Sequence, residues 1–171
     1  MIWYALLIAV VAVERIAELV VSQRNLSWSR TRGGVEFGAG HYPAMVALHT
    51  GLLVGCLVEA MYRPFLPALG RPMLAVVLAA QGPRWWCITT LGRQWNTRVV
   101  VIPDAARVTN GPYRFFSHPN CVAVVVEGIA LPLVHTAWVT AVMFTALNAV
   151  VLRSRIGVEN AALAGLRGRR G

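Results

Sequence analysis

Lysine is absent from this chain of 171 residues, and aspartate occurs once, at Asp104. All sixteen basic side chains are therefore arginine. Charged residues make up 13% of the sequence, against about a quarter in an ordinary soluble domain. With 57% hydrophobic residues and a mean hydropathy of +0.58, the chain falls in the membrane class. The net charge of +9 forms no single basic stripe; the arginines flank apolar runs, which suits orientation in a bilayer and not nucleic-acid binding.

Other absences narrow the function. Cys56, Cys87 and Cys121 are odd in number, widely spaced and set among apolar residues, so they read as buried free thiols and not as a disulfide framework or a C-x-x-C motif. His41, His49, His118 and His135 include no i,i+3 or i,i+4 pair, and no carboxylate cluster joins two of them, so no metal is expected. Ser117 is adjacent to His118 and cannot readily face it, which argues against a triad with Asp104. Neither G-x-G-x-x-G nor a phosphate-binding loop follows a strand. No internal repeat supports an inverted-repeat transporter. The N-terminus lacks the positive region and small-residue cleavage site of a signal peptide, so the helix from Ile2 is expected to be retained.

What remains reads as one domain over residues 1–171: an all-α integral membrane protein with about five spans at 2–22, 42–62, 71–91, 121–134 and 136–152. Glu14, Arg15 and Glu18 share the second half of the first span, either at headgroup level or facing protein. Residues 23–40 read as a polar, glycine-rich loop. His49 and Glu59, in the second span, are helix-packing groups or parts of a site. Gln81, Gly82, Pro83 and Arg84 interrupt the third span. Arg84-Trp85-Trp86 then marks either a cavity or an interfacial cation–π anchor. The apolar stretch 122–152 is too long for one span, and Pro132 divides it into a tight helical hairpin. Segments 92–120, with a possible extended piece at 98–102, and 153–163 carry the polar chemistry; the tail ends in Arg167, Arg169 and Arg170. Placing 23–40, the 92–120 loop and the tail in the cytoplasm leaves only Arg63 and Arg71 on the far side, with the N-terminus outside.

The stretch V-T-N-G-P-Y-R-F-F-S-H-P-N-C, from Val108 to Cys121, combines turn chemistry at Asn110-Gly111-Pro112, a break at His118-Pro119 and three aromatics. It offers backbone amides, Tyr113, Arg114, His118 and Asn120. The tail offers Arg155 and Glu159, one helical turn apart, and Asn160. Taken alone, these segments read as an interfacial linker and a surface ion pair, or as two walls of a cavity for a zwitterionic, aromatic ligand.

These two motifs, with R-I-G-V-E-N-A-A-L at 155–163, resemble the isoprenylcysteine carboxyl methyltransferase family. The stretches E-R-I-A-E-L-V-V-S-Q-R-N, G-G-V-E-F-G-A-G-H-Y-P and L-G-R-Q-W-N-T-R-V are similar to a short bacterial branch resembling the O-methyltransferases partnered with type III polyketide synthases. The resemblance implies S-adenosylmethionine as cofactor, with Val108, Gly111, Tyr113, His118, Pro119 and Glu159 at its pocket. It implies Arg84, Trp95, Asn96, Arg98, Arg155 and Asn160 toward a lipophilic acceptor, with His118, Glu159 and Arg155 catalytic. The implied acceptor is an alkylpyrone or alkylresorcinol supplied by such a synthase. Alternatives are prenylcysteine carboxyl methylation and a non-catalytic membrane scaffold or carrier. Three positions depart from the family pattern: Ser117 for the usual Arg, Cys121 for Tyr, and Asn160 for the second Glu. Arg114 or Arg84 is then the substitute holder of the cofactor carboxylate.

Overall fold

The computed structural model describes residues 1–103, 105 and 108–167, with only the backbone described for 41, 163 and 165–167. Asp104 and the terminal Arg169 and Arg170 lie outside the described residues. Five α-helices carry the fold: α1 (Ile2–Arg30), α2 (His41–Ala60), α3 (Pro67–Leu91), α4 (Pro119–Leu133) and α5 (Trp138–Arg167). Two short strands, β1 (Val35–Phe37) and β2 (Val99–Val101), pair antiparallel with Glu36 opposite Val100.

The surface identifies the solvent. Ile2, Val10, Val13 and Ile16 on α1 and Val139, Val142 and Val150 on α5 are all more than half exposed. Tyr42–Ala60 and Trp138–Ala162 are long and apolar enough to cross a bilayer, and only 17% of the most apolar stretch of each is buried. A helix from a soluble core would hide most of that surface, so these faces are built for lipid. The protein is an all-α membrane protein.

The core sits at one end of the bundle. Tyr4 and Ile8 of α1, Leu52 and Cys56 of α2, Val77 of α3, Leu131 of α4 and Phe144 of α5 pack together there. The Tyr4 hydroxyl donates to the Leu131 carbonyl at 3.0 Å, so its buried oxygen is paired. Gly128 lets α4 approach α5, because a Cβ at that position would run into the Phe144 ring. Glu59 closes the same end. It accepts from the backbone N–H groups of Val139 (3.1 Å) and Thr140 (2.8 Å) and from the Thr140 hydroxyl (2.9 Å). These amides are the unpaired donors at the start of α5, and a carboxylate there also meets the positive end of the helix dipole. Glu59 is thus a packing group, remote from the polar loops.

The helical hairpin forms as expected, with the turn at 134–137 and Thr136 at φ +57. The Thr136 hydroxyl holds this turn to the chain before α3 by donating to the Pro64 carbonyl at 2.7 Å. Three boundaries differ from the sequence reading. First, α1 continues through residues 23–30, which read as loop. Second, α3 is unbroken across Gly82-Pro83. Third, α5 runs without pause from the apolar stretch into the 155–163 motif. At 1.5 Å per residue the 29 residues of α1 and 30 of α5 reach about 44 and 45 Å, more than the roughly 30 Å hydrocarbon core. Both project their C-terminal turns beyond the bundle at the end opposite the core, and there the polar loops assemble.

Candidate active site

One stripe of α1 explains how the loops are held. Its buried residues Tyr4, Ile8 and Val11 are apolar, and the same face then continues through Glu18, Ser22, Asn25 and Ser29. The spacing of three and four residues keeps them on one side of a helix. The Ser22 hydroxyl donates to Asn96 Oδ1 at 2.8 Å, and Asn25 Nδ2 donates to the carbonyls of Gly92 (3.2 Å) and Trp95 (2.7 Å). The segment after α3 is therefore pinned along the extended part of α1, with Trp95 buried beneath it. On its outer side, Arg98 donates to Glu36 at 2.7 Å and lies 3.9 Å over the Tyr42 ring. The Glu36 carboxylate holds the Arg98 guanidinium more firmly protonated than usual.

The loop before α4 faces this segment. Gly111 takes φ +58 in a 3-10 turn spanning Gly111–Arg114. Pro119 then opens α4, with His118 as the residue before the helix. Burial, then the Cys87 thiol, push the Tyr113 hydroxyl above its ordinary value, so at neutral pH it remains a donor. From the far side α5 brings Arg155 and Glu159. His118 Nδ1 stands 3.6 Å from Glu159 Oε2, and Arg155 donates to the Asn96 carbonyl at 3.4 Å.

Between these pieces lies a cavity of about 300 Å³. Of the residues expected at the site, Trp95, Asn96, Arg98, Val108, Tyr113, His118, Pro119, Arg155 and Glu159 line it. Three do not. Gly111 packs behind the wall, where a Cβ would come within 2.7 Å of the Thr90 hydroxyl. Asn160 is exposed on α5. Arg84 is buried in α3 and bound to Glu18 and Glu127. Neither Arg84 nor Arg114 lines the cavity; among the described residues the arginines that line it are Arg98 and Arg155.

A second chamber of about 120 Å³ adjoins the first, and Trp95, Asn120, Cys121 and Arg155 line both. It reaches into the helices between Met45 and His49 of α2, Val124 of α4 and Val151 of α5. Its inner end carries Arg15, Glu18 and Arg84. These belong to a buried ion cluster in which Arg15 meets Glu18 at 2.7 Å and Glu127 at 3.1 Å. Arg84 meets Glu18 at 3.2 Å and also pairs with Glu127. Burial of such charges is tolerated only where partners surround them. Arg84 is thus neither a lipid-interface anchor nor part of the first cavity, although it reaches the second. Sequence reading named Asn120 among the polar groups of the motif loop but gave it no cofactor or acceptor contact, and it missed Ser22, Asn25 and Ser29. The polar continuation of the α1 stripe was the signal for the last three.

A model of the isoprenylcysteine carboxyl methyltransferase (ICMT) family matches residues 73–165, which cover most of α3, both polar segments, the hairpin and the α5 motif. The chain belongs to that family. ICMT-family proteins are membrane methyltransferases with S-adenosylmethionine as methyl donor, and this chain is a membrane methyltransferase in that sense. The chain is also similar to the uncharacterized protein YpbQ of Bacillus subtilis (strain 168). They are 37% identical over 161 residues, covering 92% of this chain and 95% of YpbQ.

The residues present fit the family's cofactor. A space of about 300 Å³ lies at the lower limit of small-ligand pockets, about 300–1,000 Å³. Asn120 Oδ1 and Arg155 Nε are buried without hydrogen-bond partners among the described residues. The unpaired Asn120 acceptor suits the cationic end of that cofactor, and Arg98 and Tyr113 line the same cavity as donors for its carboxylate.

Proposed function

We propose that the protein is an S-adenosylmethionine-dependent O-methyltransferase of a lipophilic acceptor, an alkylpyrone or alkylresorcinol made by a type III polyketide synthase. One observation carries this reading: the polar cavity continues into a chamber that borders the apolar helix faces. Val151 lines both this chamber and an apolar groove of about 620 Å³ between α2 and α5. A polar ring in the chamber, with its alkyl tail in the groove, would meet the polar cavity at Arg155 and Asn120. Five spans and a cytoplasmic pocket fit the same reading. Arg24, Arg30, Arg32, Arg93, Arg114 and Arg153 cluster at the pocket end, against Arg63 and Arg71 at the other.

Bound S-adenosylmethionine supplies an electrophilic methyl group on sulfur. The chain's own residues do the rest. Tyr113, His118 and Glu159 wall one side of the cavity, where Glu159 sets the ring orientation of His118. Arg98 and Arg155 offer donors to carboxylate or enolate oxygens. Trp95 and the strand residues exclude water. Charge is neutralised when an anionic oxygen attacks a sulfonium, so alignment in a partly dry pocket contributes more than a strong base.

The test is incubation of the purified protein with labelled cofactor and a panel of alkylpyrones, alkylresorcinols and prenylcysteines, with products identified by mass. Label in the polyketides supports the reading. Label confined to prenylcysteine moves the protein to carboxyl methylation, and no label in any acceptor rejects both.

A further inference from the structure

The second chamber contains an imidazole that the family motifs do not include. His49 Nδ1 lies 2.9 Å from the Met45 carbonyl one turn back on α2. A carbonyl only accepts, so Nδ1 must carry the hydrogen, and in neutral imidazole the lone pair is then on Nε2. Among the described residues no hydrogen bond reaches Nε2. The Phe144 ring stands edge-on to the imidazole at 5.4 Å, which fixes its plane without occupying its nitrogen. His49 lines the chamber together with Arg155, Asn120, Arg15, Glu18 and Arg84.

Charged groups of both signs surround it. A gap of about 10 Å³, no larger than one water-sized sphere, separates His49 from Arg15, Arg84 and Glu127. Glu14, also bound to Arg15 at 3.3 Å, completes the cluster. Three carboxylates share two guanidinium groups, so the ionised cluster is one negative charge in excess. Of that cluster, Glu127 shares the small gap with His49 beside Arg15 and Arg84, so an imidazolium formed there would have a carboxylate across a low-dielectric space. Arg155 has no carboxylate partner among the described residues and lies on the cofactor side of the same chamber.

We propose that His49 is the general base for acceptors that arrive with a protonated hydroxyl; this rests on the methyltransferase reading above. The acceptor O–H proton passes to Nε2 as the oxygen attacks. The new O–CH3 bond forms while the S–CH3 bond of the cofactor breaks, leaving a neutral thioether. Arg155 holds the developing oxyanion, and Glu18 and Glu127 act as positioning residues that stabilise the imidazolium. An enolic pyrone that is already anionic has no proton to give and does not need this step.

The test compares the two acceptor classes in one variant. In His49→Gln, kcat/KM for an alkylresorcinol should fall by about 100-fold or more, the usual contribution of a positioned base. The alkylpyrone value should fall far less, and calorimetric binding of S-adenosylmethionine equal to wild type shows that the variant is folded. Equal loss on both acceptors makes His49 a packing residue and overturns the proposal, as does no loss on either. If wild-type protein methylates neither acceptor, the functional reading fails and the proposal with it. An independent readout needs no cofactor: nitrogen-15 NMR of the His49 ring should show a bare Nε2 that becomes protonated when an acidic halogenated alkylphenol binds. A ring that already carries its hydrogen on Nε2 contradicts the assignment.

Discussion

Glu159 Oε2 lies 3.6 Å from His118 Nδ1, joining the end of the loop before α4 to the extension of α5 beyond the bundle. Both side chains are partly exposed, at 20% and 33%, so the pair contributes no more than about 1 kcal/mol to stability. Its consequence is positional. It closes the cavity between two segments separated by the whole helical hairpin.

His118→Ala and Glu159→Ala are therefore expected to remove methyl transfer while the protein stays inserted and folded. Helix content and elution in detergent should match wild type. Wild-type turnover in either variant would place the site elsewhere.

Arg155 lies where cavity and chamber meet. Arg155→Ala should impair acceptor use more than cofactor affinity, seen as a lower kcat/KM for acceptor with nearly unchanged calorimetric binding of S-adenosylmethionine. Loss confined to cofactor binding would reverse that assignment.

Gly111 acts from behind the cavity wall. Its φ of +58 is strained for any side chain, and a Cβ would also crowd Thr90 and the Trp86 indole nitrogen. Gly111→Ala should displace the turn that carries Tyr113 and weaken cofactor binding by about tenfold or more, equivalent to 1.4 kcal/mol, within the usual cost of such strain. Binding equal to wild type would show that the turn accommodates the methyl group.

Arg84 is 3% exposed and compensates two carboxylates that α1 and α4 bring together. Arg84→Met leaves Glu18 and Glu127 facing each other without it. Removing one partner of a buried pair typically costs about 3–5 kcal/mol, expected here as a lower thermal midpoint in detergent. Adding Glu127→Gln should recover part of the loss. An unchanged midpoint in the single variant would show that the cluster does not stabilise the fold.

Much of this arrangement is legible in the residues themselves. The apolar runs locate the helices, Pro132 marks the hairpin, and the 108–121 and 155–163 motifs carry most of the cavity wall. The failures come from reading locally what distant partners decide. Gly82-Pro83 reads as an interruption, but α3 continues through it, with Arg84 anchored to Glu18 and Glu127 on neighbouring helices. Residues 23–30 read as loop because they are polar, yet Ser22, Asn25 and Ser29 repeat at helical spacing, and Ser22 and Asn25 find partners in the 92–97 segment. Glu59 could not be assigned by spacing, since its partners are amides at the start of α5, brought to it only by the hairpin. His49 is the same kind of case: its free nitrogen acquires meaning only once the chamber exists.

The most direct test of the account is calorimetric titration of S-adenosylmethionine into the protein held in detergent or lipid. One saturable site per chain is expected in wild type and in His49→Gln, with binding lost or severely weakened in His118→Ala and Glu159→Ala. No binding to wild type in lipid, or the same binding in all four proteins, would contradict a cofactor cavity closed by His118 and Glu159.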